Sequence, residues 1–189
     1  MRIIGILLAA GSGSRFGGGK LLAKLPDNTM IGVAAWRNLH AALPDSIAVV
    51  RAGDAALKTA LSAAGAPVVE CADANLGMSH SLVAGIRAAR QANAWVIALA
   101  DMPFIRPGTI AGVAGAIGRG ALITMPAFRG ARGHPVGFSS ALEQELLAVH
   151  GDEGARSVVV RHAPKVVSIE TDDPGVLRDI DTHADLPGD

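Results

Sequence analysis

The sequence contains no tyrosine, and aromatic residues make up only 3% of its 189 residues. It therefore offers few of the aromatic stacking surfaces that single-strand nucleic-acid binders use. Lysine and arginine number 17, against 17 aspartate and glutamate, so the basic excess that non-specific nucleic-acid binding requires is also missing. We expect no nucleic-acid partner.

Cysteines and long apolar runs are also scarce. Cys71 is the single cysteine, so the chain cannot form an internal disulfide, which fits a reducing compartment. No apolar stretch approaches the length of a transmembrane helix. The apolar N-terminal run is too short for a signal peptide and leads directly into a glycine-rich loop. We predict a cytoplasmic protein with no membrane partner.

The apolar residues that are present fall into two alternating patterns. Half of all residues are hydrophobic, enough for a sizeable core. Short apolar runs typical of buried strands alternate with stretches of helical spacing. The predicted strands are residues 3–9, 47–50, 67–70, 95–100, 121–125, 136–138 and 166–169. The predicted helices are residues 31–43, 54–64, 79–91, 107–117 and 141–149, while residues 154–162 fit either a helix or a strand.

This alternation predicts an α/β fold, a three-layer α/β/α sandwich with a mostly parallel, Rossmann-like sheet. No linker, repeat or low-complexity tract divides the chain, so we expect residues 1–189 to form a single domain. Ligands of such folds bind at the carboxyl ends of the strands. The polar residues that stand out in the sequence come directly after predicted strands. We therefore expect the site at the edge of the sheet where those strands end.

A glycine-rich loop follows the first predicted strand and reads A-A-G-S-G-S-R-F-G-G-G-K over residues 9–20. Glycines let the backbone approach phosphates closely, and Arg15 and Lys20 add positive charge suited to a polyphosphate. Two familiar phosphate motifs do not match. Phe16 stands where a dinucleotide fingerprint needs its third glycine, and Leu21 stands where a P-loop needs Ser or Thr. A flexible glycine-rich turn is the alternative.

A carboxylate, Asp101, follows another apolar strand. A carboxylate in such a place is unfavourable unless it is solvated, caps a helix or binds a cation. Magnesium prefers one or two carboxylates together with substrate phosphates and water. A metal ligand and a turn or helix cap next to Met102 both remain open on these grounds.

These motifs resemble those of the MobA-like nucleotidyltransferases, and especially the molybdenum cofactor cytidylyltransferase branch of that family. The segment L-A-A-G-S-G-S-R-F-G-G-G-K matches the family signature L-A-A-G-x-G-x-R-hydrophobic-G-x-x-K. Further blocks follow in the family's order and span nearly the whole chain. They are N-L-G-M-S-H-S-L-V-A-G-I (75–86), L-A-D-M-P-F-I (99–105), R-G-H-P-V-G-F (132–138), G-D-E-G-A-R (151–156) and D-I-D-T-H-A-D-L (179–186). The resemblance implies a fold of the nucleotide-diphospho-sugar transferase type.

The resemblance also implies a reaction. A phosphate oxygen of an acceptor attacks the α-phosphorus of a nucleoside triphosphate, and pyrophosphate leaves. Arg15 and Lys20 would neutralise charge on the α-phosphate and the leaving group, and Asp101 would complete the catalytic set. The alternative for Arg15 is a surface ion pair.

The cofactor implied by the resemblance is Mg²⁺, with Asp101 and Asp181 as its ligands. Asp181 has an alternative of its own, as the N-cap of a short helix from Thr182 onward. Asp179 would be the ligand if the register of this block were off by two residues.

The resemblance further implies that the nucleotide meets the glycine loop and the loop at residues 75–81. The matching residues are Leu8, Ala9, Ala10, Gly11, Ser12, Gly13, Asn75, Gly77 and Ser81. The cytidylyltransferase branch tends to have L-A-A-G where the guanylyltransferase branch has L-A-G-G, so Ala10 favours CTP. Arg132, His134 and Arg156 would face a pterin acceptor or its phosphate, although a structural histidine in a turn is an equal reading of His134.

The predicted function is therefore that of a cytoplasmic, Mg²⁺-dependent cytidylyltransferase. It would convert CTP and a molybdenum–molybdopterin acceptor into molybdopterin cytosine dinucleotide and pyrophosphate, with a molybdoenzyme or its chaperone as a further partner. The same chemistry with GTP, or with a sugar or alcohol phosphate, remains open because fold alone does not fix substrates. A non-catalytic carrier of finished cofactor is a second alternative. The failed dinucleotide fingerprint disfavours a third, a nicotinamide-dependent oxidoreductase.

Overall fold

The computed structural model describes residues 1–11 and 13–187. Within these ranges, eight strands are present: β1 (Ile3–Ala9), β2 (Ser46–Arg51), β3 (Val68–Cys71), β4 (Ala94–Leu99), β5 (Ile123–Phe128), β6 (Ala131–Arg132), β7 (Val136–Ser139) and β8 (Val166–Glu170). The α-helices of the same ranges are α1 (Ile31–Ala42), α2 (Ala55–Ala63), α3 (Met78–Ala88), α4 (Pro107–Gly118), α5 (Glu143–Leu147) and α6 (Arg156–Arg161). Short 3-10 turns join several of these elements.

The strands form one sheet in the order β3-β2-β1-β4-β7-β5-β6, with β8 paired to β5. Strands β1 to β4 run parallel to their neighbours within this group, and β8 runs parallel to β5. Strand β7 lies antiparallel between β4 and β5, and β6 is antiparallel to β5. The prediction of a mostly parallel sheet is confirmed, but the sequence did not indicate the antiparallel insertion of β7.

Helices cover both faces of the sheet and create two cores. Residues of α1, α2 and α4 pack in one core, and residues of α3, α5 and α6 pack in the other. Strand β1 contributes to both because successive side chains of a strand point to opposite faces. Leu7 is fully buried in the first core and Ile6 in the second. This arrangement is the predicted three-layer sandwich.

Local sequence signals predicted the starts of α2 and α4 correctly, whereas the helices in the later part of the chain were predicted less well. Asp54 caps α2 by accepting a hydrogen bond from the Leu57 amide, at 3.1 Å, and Pro107 opens α4 in its first turn. The helix predicted at residues 141–149 is instead a 3-10 turn followed by the short α5. The ambiguous residues 154–162 contain α6. No helix among the described residues is long and apolar enough to cross a membrane.

A buried carboxylate ties the last part of the chain to the helix layer. Asp173, only 1% exposed, accepts hydrogen bonds from the Arg106 amide and the Thr109 hydroxyl, both at 2.8 Å. It also accepts from the Gly175 amide at 3.0 Å. These donors offset the desolvation of the carboxylate, and they hold the turn at residues 174–177 against the start of α4.

We expect Asp173→Ala to lower the free energy of unfolding by about 3 kcal/mol, because it leaves several buried donors without an acceptor. Urea denaturation followed by circular dichroism measures this loss. Asp172→Ala is the matched control, since the Asp172 side chain is 93% exposed and is paired only at the surface with Arg106. Equal unfolding midpoints for the two variants would contradict the structural role assigned to Asp173.

Candidate active site

A cleft of about 650 Å³ opens at the carboxyl ends of β1, β2 and β4. This is the edge of the sheet where the sequence placed the site. Its lining combines the glycine loop, the ends of the three strands, the loop before α3 and residues from two later segments. The lining residues are Leu8, Ala10, Gly11, Gly13, Ser14, Arg15, Lys20, Leu21, Arg51, Ala74, Asn75, Gly77, Met78, Ser81, Leu99, Ala100, Asp101, Asp152 and Asp181.

Four charged side chains meet at one side of this cleft. The Lys20 ammonium donates to Asp101 Oδ2 at 2.8 Å and to Asp181 Oδ1 at 3.2 Å. Arg15 Nη1 donates to the other oxygen of Asp181 at 2.7 Å. Two cations and two carboxylates from distant parts of the chain thus form one connected cluster.

A small apolar cluster holds this arrangement in place. Phe16 from the glycine loop, Ile31 from α1 and Ile180 pack together, all buried. The Ile180 amide also donates to the Asp101 carbonyl at 2.9 Å. Because Ile180 precedes Asp181 directly, these contacts set the carboxylate of Asp181 opposite Lys20.

The backbone of the glycine loop uses conformations that favour glycine. Gly13 and Gly19 have φ values of 59° and 64° and stand directly before the short 3-10 turns that carry Arg15 and Lys20. Residues with a Cβ atom rarely adopt this left-handed conformation. The glycines therefore aim both cations into the cleft from a short loop.

The electrostatics of the cluster favour the charged forms of its members. Burial alone would lower the pKa of Lys20, but the hydrogen bonds and negative charges of Asp101 and Asp181 outweigh it and raise that pKa. The hydrogen bond from Lys20, followed by the contribution of Arg15, lowers the pKa of Asp181. Lys20 is therefore protonated and Asp181 ionised at neutral pH.

Asp101 and Asp181 fit a divalent cation. Both carboxylates direct an oxygen at the same ammonium group, which shows that one positive charge can be shared between them. Hard cations such as Mg²⁺ are commonly held by one or two carboxylates together with phosphate oxygens and water. Asp181 does not cap the following turn, where Thr182 is the cap residue, and Asp179 is exposed.

Most residues expected to hold the nucleotide line the same cleft. These are Leu8, Ala10, Gly11, Gly13, Asn75, Gly77 and Ser81. Ala9 is buried in the core beside the cleft, and Ser12 lies outside the described residues. The loop at residues 151–154 packs directly on this region. A Cβ atom on Gly77 would lie 2.4 Å from the Gly151 carbonyl oxygen, so only glycine fits.

The three residues expected to face the acceptor are not part of the cleft lining. Arg132 Nε donates to the Ser168 hydroxyl at 2.8 Å, between β6 and β8. Arg156 begins α6 and is exposed. The His134 amide donates to the Val176 carbonyl at 2.9 Å, and its buried Nδ1 atom has no hydrogen-bond partner in the described part of the chain. The structure places none of these three side chains in the lining of the cleft, although the charge of Asp101 acts on His134.

Two charged residues of the lining were not assigned to the site by the sequence analysis. Arg51 ends β2, and Asp152 belongs to the loop that packs on Gly77. The signal for Arg51 was available, because it directly follows a predicted strand and ligands bind at strand ends. Asp152 lies within the G-D-E-G-A-R block that carries part of the family resemblance, but that block was not given a role for Asp152.

We expect the stability of the protein to decline as pH falls below about 6.5, partly through His134. Burial lowers the pKa of His134 below its usual value of 6.5, although the charges of Asp101 and Asp179 oppose this effect. The unfolded chain then binds a proton that the folded chain does not, so stability is retained above pH 6.5 and lost as the pH falls. Thermal unfolding between pH 5 and 8 measures this. His134→Gln should make the stability less dependent on pH, whereas His150→Gln, at an exposed position, should not. Identical pH profiles for the two variants would contradict the interpretation.

Comparison with known proteins identifies the family. The sequence pattern of the MobA-like NTP transferase domain matches residues 5–166. The chain belongs to this family. It is 30% identical to the purine catabolism protein PucB of Bacillus subtilis and 31% identical to the nicotine blue oxidoreductase of Paenarthrobacter nicotinovorans. Each alignment covers 95% of this chain and 92% of the relative.

A solved structure supports the same assignment. The crystal structure of Rv0371c from Mycobacterium tuberculosis H37Rv superposes with a TM-score of 0.80 at 27% identity, covering 98% of this chain and 95% of that one. A manganese complex of Rv0371c superposes with a TM-score of 0.74, at 26% identity and with 98% and 96% of the two chains covered. Membership supports a nucleotidyl transfer function with a nucleotide substrate, and divalent metals are the usual cofactors of the nucleotidyltransferases in this family.

Proposed function

We propose that the protein transfers CMP from CTP to molybdenum–molybdopterin, giving molybdopterin cytosine dinucleotide and pyrophosphate, with Mg²⁺ as cofactor. The observation that carries this proposal is the charged cluster at the mouth of β1 and β4. There, Arg15 and Lys20 of the glycine loop meet Asp101 and Asp181 beside the residues expected to hold the nucleotide.

In this proposal, the side chains act by position and charge. Arg15, Lys20 and the backbone of the glycine loop hold the triphosphate. Asp101 and Asp181 would hold Mg²⁺, which would supply positive charge to the α-phosphate and the leaving pyrophosphate. An acceptor phosphate oxygen forms the new bond to the α-phosphorus as the bond to the bridging oxygen of pyrophosphate breaks. The acceptor phosphate is already ionised, so the chain needs no general base.

The choice of CTP is supported by Ala10 within the L-A-A-G segment. Ala10 lines the cleft and is only 3% exposed, and in this proposal its small side chain borders the nucleoside. For the acceptor side, His134 is the best supported of the three candidates, ahead of Arg132 and Arg156. Its buried Nδ1 atom is unpaired in the described residues, and the charge of Asp101 acts on it.

The proposal includes a cytoplasmic location and delivery of the product to a molybdoenzyme or its chaperone. The test is release of pyrophosphate and formation of the cytosine dinucleotide from CTP, MgCl₂ and molybdenum–molybdopterin. Turnover with CTP and little with GTP is expected. Turnover of GTP, or of a sugar phosphate acceptor, would keep the chemistry and replace the substrates. Binding of nucleotide with no pyrophosphate from any acceptor would favour a carrier instead.

A further inference from the structure

Arg51 is a cation in the cleft that the proposed reaction does not use. It ends β2 and is partly buried. Its Nη2 atom donates to the Ala10 carbonyl oxygen at 3.4 Å, and no carboxylate of the described residues pairs with it. A guanidinium carries five N–H donors, so most of the donors of Arg51 are available to a ligand.

The sheet order separates Arg51 from the charged cluster. Strand β2 flanks β1 on one side, and β4, which leads to Asp101, flanks it on the other. Neighbouring strands lie about 4.8 Å apart, so the ends of β2 and β4 are about 10 Å from each other. When the triphosphate occupies the side of Arg15, Lys20 and Asp101, Arg51 faces a different part of the nucleotide.

We propose that Arg51 and the Ala10 carbonyl together read the base of the nucleotide. This inference rests on the proposed function, because it assumes a nucleoside triphosphate whose phosphates meet the charged cluster. The pair presents one acceptor beside a row of donors, since a carbonyl oxygen has two lone pairs and only one is used by Arg51. The complementary base edge is an amino group beside a ring nitrogen acceptor.

Cytosine has that edge, with an exocyclic amino group, then N3 and O2 as acceptors. Adenine shares the amino group and adjacent ring nitrogen. Uracil replaces the amino group by a carbonyl and carries a proton on N3, so it opposes acceptor to acceptor and donor to donor. Guanine likewise presents a carbonyl beside a protonated ring nitrogen. Mismatched, desolvated polar groups discriminate strongly between otherwise similar ligands.

The best comparison is CTP against UTP, because the two bases have nearly the same size and differ at this edge. We expect the wild-type protein to bind CTP about 10- to 100-fold more tightly than UTP, the discrimination typical of a good bidentate contact. Isothermal titration calorimetry with MgCl₂ and no acceptor measures both constants. ATP should likewise bind more tightly than GTP when both affinities are measured in the same way.

Two substitutions separate base reading from simple attraction to phosphate. Arg51→Met removes the donors and the charge, while Arg51→Lys keeps the charge and loses the planar pair of donors. Both should weaken CTP binding about tenfold or more and bring CTP and UTP to nearly equal affinity. Arg119→Lys, at an exposed position at the end of α4, should change neither constant. Thermal unfolding of each variant checks that the fold is retained.

The outcomes distinguish this inference from the proposed function. Equal wild-type affinities for CTP and UTP would overturn the inference. The inference would also be overturned if Arg51→Met lost affinity for all four nucleotides equally while Arg51→Lys bound them normally. Arg51 would then act on phosphate rather than on the base. Product formation from CTP with unchanged discrimination in both variants would overturn the inference and leave the proposed function intact. Lost discrimination in the variants without product from molybdenum–molybdopterin would leave the inference and overturn the acceptor.

Discussion

Replacing Asp101 by asparagine is expected to lower the rate of nucleotidyl transfer about 10³-fold. Asparagine has nearly the same shape but carries no charge, so it weakens both the hold on a divalent cation and the pairing with Lys20, which now lies 2.8 Å from Asp101. A bound metal ion supplies several kcal/mol of charge stabilisation to a transferring phosphoryl group. Asp101 follows β4 in a loop that other contacts support, so the fold should persist.

Pyrophosphate release and Mn²⁺ titration in the presence of CTP measure the two effects of Asp101→Asn separately. The control is Asp172→Asn, which removes a carboxylate whose side chain is 93% exposed. The control should retain normal rates and normal Mn²⁺ affinity. If Asp101→Asn released pyrophosphate at the wild-type rate, Asp101 would have no part in holding the metal.

Replacing Lys20 by methionine is expected to change metal binding and turnover in opposite directions. The Lys20 side chain is 11% exposed and its ammonium lies between Asp101 and Asp181, so it competes with any metal ion for the same oxygens. Without it, two carboxylates face each other with only Arg15 nearby, and a divalent cation relieves their repulsion. We expect Mn²⁺ to bind about tenfold more tightly in the absence of nucleotide, a change of about 1.4 kcal/mol.

Turnover of Lys20→Met should nevertheless fall about 10²- to 10³-fold, because a donor aimed at developing negative charge is lost. Electron paramagnetic resonance of free Mn²⁺ follows the binding, and pyrophosphate release follows the turnover. Lys58→Met serves as the control, since Lys58 pairs with Glu70 at an exposed surface. Unchanged Mn²⁺ affinity in Lys20→Met would show that the ammonium does not stand in the place of the metal.

The first half of the chain was well predicted because its signals are local. The continuous apolar run at residues 3–9 predicted a strand buried on both faces, and it forms the central strand β1 between two helix layers. The cap at Asp54 and the proline that opens α4 were also recognisable from neighbouring residues. The antiparallel position of β7 between β4 and β5 was not recognisable, because it depends on pairing between strands that are distant in the sequence.

The charged cluster could also be predicted only in part, because some of its contacts join distant segments of the chain. The sequence marked Arg15, Lys20 and Asp101 by their places after strands, but it left Asp181 between a metal ligand and a cap. Its contacts with the glycine loop depend on the packing of Ile180 against Phe16 and Ile31. No local pattern encodes that packing. The role inferred for Arg51 likewise depends on the order of strands rather than on the residues around it.

The packing of Ile180 also determines when the charged cluster can form during synthesis. Arg15 and Asp181 are 166 positions apart in the chain. At translation rates of about 5–20 residues per second, the glycine loop is made about 10–30 s before its carboxylate partner. A nascent chain thus holds the cationic loop without its Asp181 partner until the segment of Ile180 has been made. The charged cluster can therefore assemble only after Asp181 has been synthesised.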